Sequence, residues 1–310
     1  MRVLYDDVAA LRALLGERPA PAPPCGATLS DPEQRLWEAL APGHPVGATI
    51  APDAGRFSTL AIVAEAQASQ LDLLNGWVRE GAAPGRAVAA VAVTGRGFHG
   101  QRQRSWLAPP GTLYLSVAAP LAVDLQRAAP ALTMLPCVAV CDAVRALSQG
   151  AVAAGTKWVN DVLIEGGKVA GALTLLHSVG VESRAVLFGV GLNVAVAPPV
   201  PPTRFVPAVS ALRQWLPAVE LAPVLGAVLQ SLSARLAEIE AGELEAIGES
   251  YRDHSVVIGR AVELWDEGAD ADTRGKPFAT GVVDGIDADL RLRLRGRAEP
   301  IGSGRLVLVG

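Results

Sequence analysis

The stretch KWVNDVLIEGGKVAG, from Lys157 to Gly171, decides the fold. Two apolar runs flank a Glu-Gly-Gly turn, and this pattern predicts a β-hairpin. The hairpin carries Lys157, Asn160, Asp161 and Lys168 beside its apolar positions. Because a lysine is costly to bury without an anionic partner, a cation at a sheet edge predicts a site for a carboxylate or phosphate ligand.

A glycine-rich loop precedes the hairpin in TGRGFHGQRQRSWLAPPGTLYLSV, Thr94 to Val117. Its Gly95-x-Gly97-x-x-Gly100 spacing also fits the dinucleotide-binding fingerprint. That fold requires a helix at the last glycine and an acidic residue about 20 positions further on, whereas a polar loop and a strand follow here. The loop is therefore either a ligand-binding loop, in which backbone N–H groups approach an anion, or a basic surface loop.

A third stretch, GVGLNVAV, runs from Gly189 to Val196 and ends a buried strand. Glycines inside a strand often mark the close approach of a ligand, which makes Gly189 and Gly191 candidate binding positions. The amide of Asn193 carries both a donor and an acceptor, as recognition of a base edge requires. A capping or turn asparagine is the alternative.

Composition limits the class of protein. With 310 residues, half of them hydrophobic, the chain is long enough for one large domain and a small one. A net charge of −4 gives no indication of a nucleic-acid partner. The three cysteines, Cys25, Cys137 and Cys141, lack CxxC spacing, so we expect buried thiols rather than disulfides or a zinc site.

The first residues are acidic where a signal peptide is basic, and no apolar run reaches the ~20 residues that span a bilayer. We therefore expect a cytoplasmic protein without membrane contact.

Periodicity predicts mixed strands and helices, with a change of pattern near residue 260. The predicted strands are 57–64, 87–93, 112–117 and 185–196, and the predicted helices are 4–15, 31–40, 69–80, 132–148 and 221–239. Short strands between Gly and Asp turns follow from residue 260 and indicate a small all-β barrel. A proline-rich linker is predicted over 17–26. We divide the chain into an N-terminal extension of unknown role (1–56), a catalytic domain (57–255) and a small barrel (256–310).

In their order and spacing, the three stretches resemble the catalytic domain of biotin–protein ligases, over roughly residues 60 to 200. Residues 259–310 resemble, more loosely, the small terminal barrel of that family. The resemblance implies an α+β fold, a mixed β-sheet catalytic domain flanked by helices, with a C-terminal SH3-like barrel. No helix-turn-helix pattern precedes the catalytic region, so the DNA-binding role of some members is not expected.

The same resemblance implies an ATP-dependent ligase. It would form biotinyl-5′-AMP and transfer biotin to a lysine of a biotin carboxyl carrier domain. Its cofactors would be ATP and Mg²⁺, with biotin as substrate. The resemblance leaves open whether the protein forms a homodimer.

The resemblance also assigns roles to individual residues. Lys157 and Arg96 would be catalytic, and Asp161 is a weak candidate for holding Mg²⁺ through water. Lys157 and Lys168 could instead be surface lysines, and Trp106 a packed aromatic. The substrate-binding positions would be Ser69, Gly95, Gly97, Trp106, Gly171, Gly189 and Gly191, and the nucleotide-binding positions Asn160, Lys168 and Asn193, the last at adenine.

Several positions depart from the family pattern at the biotin end. Ala68, Ala92 and Val93 replace polar residues, and Phe98 with His99 replaces the polar pair between Gly97 and Gly100. The loop is therefore expected to cover its ligand by apolar packing and by Arg96. Two alternatives remain open, a ligase for lipoate or another acyl acid, and a non-catalytic paralogue that binds biotin or an adenylate.

Overall fold

The computed structural model of the chain describes residues 1–16, 29–50, 55–81, 85–179, 183–270 and 272–309. The linker predicted over 17–26 lies outside the described residues. The strands are Arg2–Tyr5 (β1), Gly47–Ile50 (β2), Phe57–Ala66 (β3), Ala87–Gly95 (β4), Thr112–Pro120 (β5), Gly155–Lys157 (β6), Asp161–Ile164 (β7), Gly167–Val179 (β8), Ser183–Asn193 (β9), Ala261–Trp265 (β10), Ala279–Ile286 (β11), Leu292–Leu294 (β12) and Arg305–Leu308 (β13). The α-helices are Val8–Leu15 (α1), Asp31–Leu40 (α2), Gln70–Arg79 (α3), Leu125–Leu147 (α4), Leu221–Glu240 (α5) and Leu244–Asp253 (α6).

The large sheet has nine strands in the order β2-β1-β3-β4-β5-β9-β8-β7-β6. β3 pairs in parallel with β1 and with β4, and the other neighbours are antiparallel, so the sheet is mixed as predicted. The predicted hairpin is present as β7 and β8, with Glu165 and Gly166 at positive φ in the turn. β6 and β7 form the edge that carries the KWVND stretch.

Helices cover both faces of the sheet, because alternate residues of each buried strand point to opposite sides. On β3, Leu60 and Ile62 join the core that α1, α4 and α5 cover, whereas Ala61 and Val63 join the core under α2 and α3. The apolar stripe predicted for residues 221–239 faces the first core, and α5 packs against α4. This is the predicted α+β arrangement.

The predicted helix over 4–15 is wrong at its start. Residues 2–5 form β1, between β2 and β3, and the helix begins at Val8. Asp7 fixes this start, since its Oδ1 accepts a hydrogen bond from the Ala10 N–H at 2.7 Å. β1 and β2 thus extend the sheet of β3, while the functional division at residues 56 and 255 stays a prediction.

The central helix α4 begins at Leu125, earlier than the predicted Leu132, despite Pro130 and Pro136 within it. A proline lacks an N–H and leaves the carbonyl four residues earlier without its helical donor. The carbonyl freed by Pro136 belongs to Leu132, and it accepts from Thr174 Oγ1 on β8 at 3.2 Å. By length and composition alone α4 could cross a membrane, but 67% of its apolar window is buried inside the protein.

The C-terminal residues form a second, four-stranded antiparallel sheet in the order β12-β11-β10-β13. It is consistent with the predicted SH3-like barrel, and the predicted fold class is confirmed. The barrel packs directly beside the KWVND edge, where Trp158 Nε1 donates to the Leu290 carbonyl at 2.8 Å.

Candidate active site

A cavity of about 330 Å³ lies between the KWVND edge, the middle of the large sheet, the glycine loop and the barrel. Its size is at the lower end of the range for small-molecule sites. Residues from all three stretches highlighted by the sequence line it, together with the segment after β9 and the start of β13. The predicted residues that line it are Ser69, Trp106, Lys157, Asn160, Asp161, Lys168, Gly171, Gly189, Gly191 and Asn193.

Lys157 ends β6 and is buried, with 6% of its surface exposed. Its Nζ donates to the Phe205 carbonyl at 2.6 Å. Burial lowers the pKa of Lys157, while the nearby carboxylate of Asp161 acts in the opposite direction. An ammonium carries three donors, so two remain beyond the contact with Phe205. Lys157 is therefore not a surface lysine.

The cavity is strongly cationic. Arg104, Lys157, Lys168 and Arg305 line it, and in the described part of the chain Asp161 is the one carboxylate among its lining residues. Lys168 Nζ lies 2.6 Å from Asp161 Oδ1, which leaves three cations without that partner. Burial lowers the pKa of Arg305 to about 10, and the charge of Arg104 acts in the same direction. An anionic ligand would relieve this repulsion.

The indole ring of Trp106 lies against the large sheet at Gly171 and Gly191. A Cβ on Gly191 would be 2.6 Å from the indole ring, and one on Gly171 would be 3.0 Å away. Lys168 Nζ stands 5.1 Å from the ring centroid, within cation–π range. The two glycines therefore make room for a flat aromatic group, and Trp106 Nε1 is buried there without a hydrogen-bond partner among the described residues.

Asn193 ends β9 and is buried. Its Nδ2 donates to the Ser210 carbonyl at 3.0 Å and to the Lys168 carbonyl at 3.4 Å. Its Oδ1 is buried and has no protein partner in the described structure. With this amide orientation, the donor is already in use and the acceptor is free for a ligand.

Asn160 and Ser69 line the cavity from local structures that their side chains support. Asn160 Nδ2 donates to the Ala172 carbonyl at 2.6 Å and so holds the residues between β6 and β7 against β8. Ser69 is the N-cap of α3, and its Oγ accepts weakly from the Asp72 N–H at 3.5 Å. The predicted binding roles of both residues stay predictions.

The glycine loop approaches the cavity differently from the expectation. Phe98 lines the cavity and stacks on Tyr114, with ring centroids 4.7 Å apart. Arg96 is not among the lining residues, and its guanidinium donates to Gln67 Oε1. The catalytic role predicted for Arg96 is therefore unsupported by this geometry and stays a prediction.

Gly95 and Gly97 also lie outside the cavity lining. A Cβ on Gly95 would meet the Ala66 carbonyl at 2.6 Å, and Gly97 has a φ of +74°. Both glycines are thus required by the backbone of the loop, whatever their role toward a ligand.

Among the described lining residues, Asp161 is the one carboxylate that could contact Mg²⁺. No group of three or more His, Cys, Asp or Glu side chains with metal-binding geometry occurs among the described residues. Asp161 is already paired with Lys168. Mg²⁺ is commonly bound through one or two carboxylates together with substrate phosphates, so any Mg²⁺ here would depend on the nucleotide.

The sequence analysis missed Phe205 and Arg305, which come from the segment after β9 and from the barrel. Phe205 offers Lys157 a backbone carbonyl, which has no sequence signature. Arg305 begins β13, where a cation in a short apolar strand was a usable signal. Arg104 follows the three glycines of the loop and also lines the cavity, which the glycine motif did not predict.

Comparison with known proteins agrees with this geometry. A model described as the biotin/lipoate A/B protein ligase family matches residues 63–193. A biotin–[acetyl-CoA-carboxylase] ligase of Mycobacterium tuberculosis is 31% identical over 225 residues, which cover 71% of this chain and 77% of that protein. The chain therefore belongs to the biotin/lipoate A/B protein ligase family. Within the family it is similar to the biotin–protein ligases, and the resemblance predicted from the sequence is confirmed.

Two further similarities cover a smaller and a larger share of the chain. A biotin–[acetyl-CoA-carboxylase] ligase of Paracoccus denitrificans is 36% identical over 121 residues, 37% of this chain, and the match spans about half (49%) of that protein. A biotin protein ligase from Aquifex aeolicus, solved with biotin and ATP, superimposes with a TM-score of 0.61 at 21% identity. That superposition covers 81% of this chain and 98% of the other, and it establishes the shared fold.

Proposed function

We propose that the chain is an ATP-dependent biotin–protein ligase, which forms biotinyl-5′-AMP and passes the biotinyl group to a lysine of a biotin carboxyl carrier domain. The observation that carries the proposal is the buried Lys157 in a cavity with an excess of cations, beside a flat floor of glycines. The Mycobacterium and Paracoccus relatives bear the name of that activity, which supports the assignment.

In the first step, a carboxylate oxygen of biotin forms a bond to the α-phosphorus of ATP. The bond between that phosphorus and the bridging oxygen to the β-phosphate breaks, and pyrophosphate leaves with the electron pair. Two anions must approach each other, so a fixed cation between them lowers the barrier. Lys157 suits this role because one N–H is anchored on Phe205 and two can contact the anions.

The remaining cations and the adenine end complete the site. Arg104, Lys168 and Arg305 would bind the phosphates, and their positions along the cavity support this. The free Oδ1 of Asn193 would accept from an adenine amino group, with Trp106 beside the base. Mg²⁺ would enter with ATP and neutralise phosphate charge. These contacts hold the reactants in position, which is the main contribution a protein makes to phosphoryl and nucleotidyl transfer.

In the second step, the deprotonated lysine amine of the carrier attacks the acyl carbonyl of the adenylate. The carbon–oxygen bond to phosphate breaks, AMP leaves, and the amine loses its second proton to solvent or to the departing phosphate. The mixed anhydride is already activated, so positioning accounts for most of the rate. We place the reaction in the cytoplasm, where such carriers would meet ATP.

A ligase for lipoate or another acyl acid is the second candidate. The stacked rings of Phe98 and Tyr114 give the cavity an apolar wall, and Ser69 and Ser116 add hydroxyl groups to its lining. Such a wall would accept an acyl chain that makes fewer polar contacts than the ureido ring of biotin.

One experiment separates these functions. A purified carrier domain is incubated with the full chain, ATP and Mg²⁺, with biotin or lipoate in turn, and its mass is measured. We expect the biotinyl increment, and Lys157→Ala should slow it by about a hundredfold or more, near 3 kcal/mol. Lys276→Ala, a change at a surface lysine of the barrel, is the matched control. A lipoyl increment alone would support the second candidate, and no increment with binding of either acid would indicate a non-catalytic paralogue.

A further inference from the structure

Phe205, whose carbonyl accepts the hydrogen bond from Lys157, is held in place by the C-terminal barrel. Phe205 is buried and packs with Trp265 and Ala269 of the barrel in a small cluster of its own. Its ring meets Trp265 edge to face, with centroids 6.4 Å apart and an interplanar angle of 89°. The guanidinium of Arg305 lies over the other part of the ring, 3.6 Å from the centroid. The ring is thus held from two strands, β10 and β13.

The backbone around Phe205 is fixed as well. Thr203 N–H donates to the Val206 carbonyl at 2.9 Å, and Val206 N–H donates to Thr203 Oγ1 at 3.0 Å. These reciprocal bonds close a tight turn over Arg204 and Phe205. The direction of the Phe205 carbonyl is therefore coupled to the position of its ring.

The barrel, Phe205 and Lys157 are joined by one continuous chain of contacts. Trp265 and Arg305 fix the Phe205 ring, the turn transmits this to the carbonyl, and the carbonyl accepts from Lys157 Nζ at 2.6 Å. With one of its three donors taken, the ammonium can rotate its other two only about that bond. A displacement of the barrel would move the ammonium with it.

We propose that Phe205 is a positioning residue through which the C-terminal barrel aims the ammonium group of Lys157 at the reacting anions. The inference rests on the proposed function for its catalytic consequence, but the coupling of Phe205 to Lys157 does not. The barrel then serves as part of the active site rather than as an appended domain.

The experiment uses the small number of lysines in the chain, which are Lys157, Lys168 and Lys276. Competitive acylation with acetic anhydride, read by mass spectrometry over a range of pH, gives the rate constant of each neutral amine and its pKa. Phe205→Leu keeps a buried apolar side chain without the ring, Phe205→Ala removes it, and Phe205→Tyr restores a ring. Val309→Ala, which shortens an exposed apolar side chain just after β13, is the matched control.

We expect the neutral Lys157 amine to react about fivefold faster or more in Phe205→Leu and Phe205→Ala. In these variants the amine loses its fixed hydrogen bond and becomes less buried. Its pKa should rise toward the ordinary value as burial is relieved, with Lys276 unchanged. Phe205→Tyr and Val309→Ala should match the wild type. The proposal would be overturned if Lys157 reacted at the wild-type rate in folded Phe205→Leu. It would also be overturned if Phe205→Tyr changed the Lys157 rate as much as Phe205→Leu does.

Pyrophosphate release from ATP and biotin separates this proposal from the proposed function. We expect kcat to fall about tenfold in Phe205→Leu with little change in the KM for biotin, because an aimed charge is lost while the acyl pocket stays intact. If the wild type releases no pyrophosphate, the proposed function fails, whereas the acylation rates still decide the coupling.

Discussion

The indole ring of Trp106 occupies the space that a side chain at position 191 would need, since a Cβ on Gly191 would lie 2.6 Å from the ring. Gly191 is paired with Gly171 on β8 and with Tyr114 on β5, in the middle of the large sheet. The indole ring therefore lies against the backbone of Gly191, which is fixed by strand pairing on both sides. The glycine is required by the aromatic group above it rather than by its own backbone conformation.

Gly191→Ala should force Trp106 away from the sheet. We expect a loss of about 1–3 kcal/mol in the free energy of unfolding, the usual cost of overpacking. We also expect weaker ATP binding, because the site proposed for the base is disturbed. Urea unfolding and calorimetric titration with ATP measure the two effects.

Gly226→Ala is the matched control for that substitution. Gly226 lies within α5, and a Cβ there would meet nothing within 4 Å. The same change should raise stability by about 0.5–1 kcal/mol, since alanine is favoured over glycine in a helix. Equal effects of the two substitutions would contradict the role assigned to Trp106.

Asn193→Ala should weaken ATP more than biotin. The sequence suggested that the amide uses both its donor and its acceptor on the base, but Nδ2 already donates to the Ser210 carbonyl, and only Oδ1 is free. Loss of one such contact, with the amino group of the base left unpaired in a buried site, should cost about 1–3 kcal/mol in nucleotide binding. Titration of each ligand checks this. Asn75→Ala removes an amide of α3 that is paired with His177 on β8, and it should leave both affinities unchanged.

Local patterns could be predicted from the sequence, and contacts between distant segments could not. The hairpin that carries Lys157 follows from alternation and turn residues within fifteen positions, so its place at a sheet edge was predictable. Pro136 is tolerated inside α4 because Thr174, on a strand far along the chain, donates to the Leu132 carbonyl, a contact that the local sequence does not show. Arg305 reaches the same cavity only because the barrel packs beside that hairpin.

The position of Arg96 shows the limit of a motif. The glycine spacing correctly indicated a loop near the ligand site, but the motif does not determine which side chains turn inward. Phe98 lines the cavity, whereas Arg96 is directed to Gln67. That outcome depends on Tyr114 offering a flat partner on β5, which the loop sequence does not contain.

The ion pair between His99 and Asp72 should make the glycine loop more firmly held at low pH. His99 Nε2 lies 2.7 Å from Asp72 Oδ2 and Nδ1 lies 3.2 Å from the Gly100 carbonyl. Burial lowers the pKa of His99, but the contacts with Asp72 and Gly100 outweigh it, so the net pKa is raised. The stabilisation is therefore complete below the unfolded pKa of about 6.5 and is lost as pH rises through the folded value.

Hydrogen exchange of residues 96–105 from about pH 6 to 8, corrected for the intrinsic rates, measures this. Protection should fall with rising pH in the wild type and should be low and nearly constant in His99→Gln. His44→Gln, a change at an exposed histidine, is the control and should keep the wild-type slope. A slope that survives in His99→Gln would assign the pH dependence to another group.

Phe98 should form part of the cover over the adenylate. Its ring lies between Tyr114, stacked at 4.7 Å and 17°, and Gly95, where a Cβ would be 2.8 Å from the ring. Tyr114 is itself fixed, because its hydroxyl donates to the Leu107 carbonyl at 2.6 Å. A cover of this kind excludes water from a reactive anhydride. An arginine at position 98 could place its guanidinium over Tyr114, but its flexible side chain would not fill the space that the ring fills against position 95.

Phe98→Ala and Phe98→Arg should therefore release the adenylate faster, by about two- to tenfold if the lost contact is that of one aromatic pair, about 0.5–1.5 kcal/mol. Single-turnover retention of labelled adenylate by the full chain, without carrier, measures the rate, and Phe98→Tyr should retain it as the wild type does. Longer retention in Phe98→Arg would mean that the polar pair typical of the family closes the loop better. Phe98 would then be the origin of a leaking intermediate rather than part of its seal.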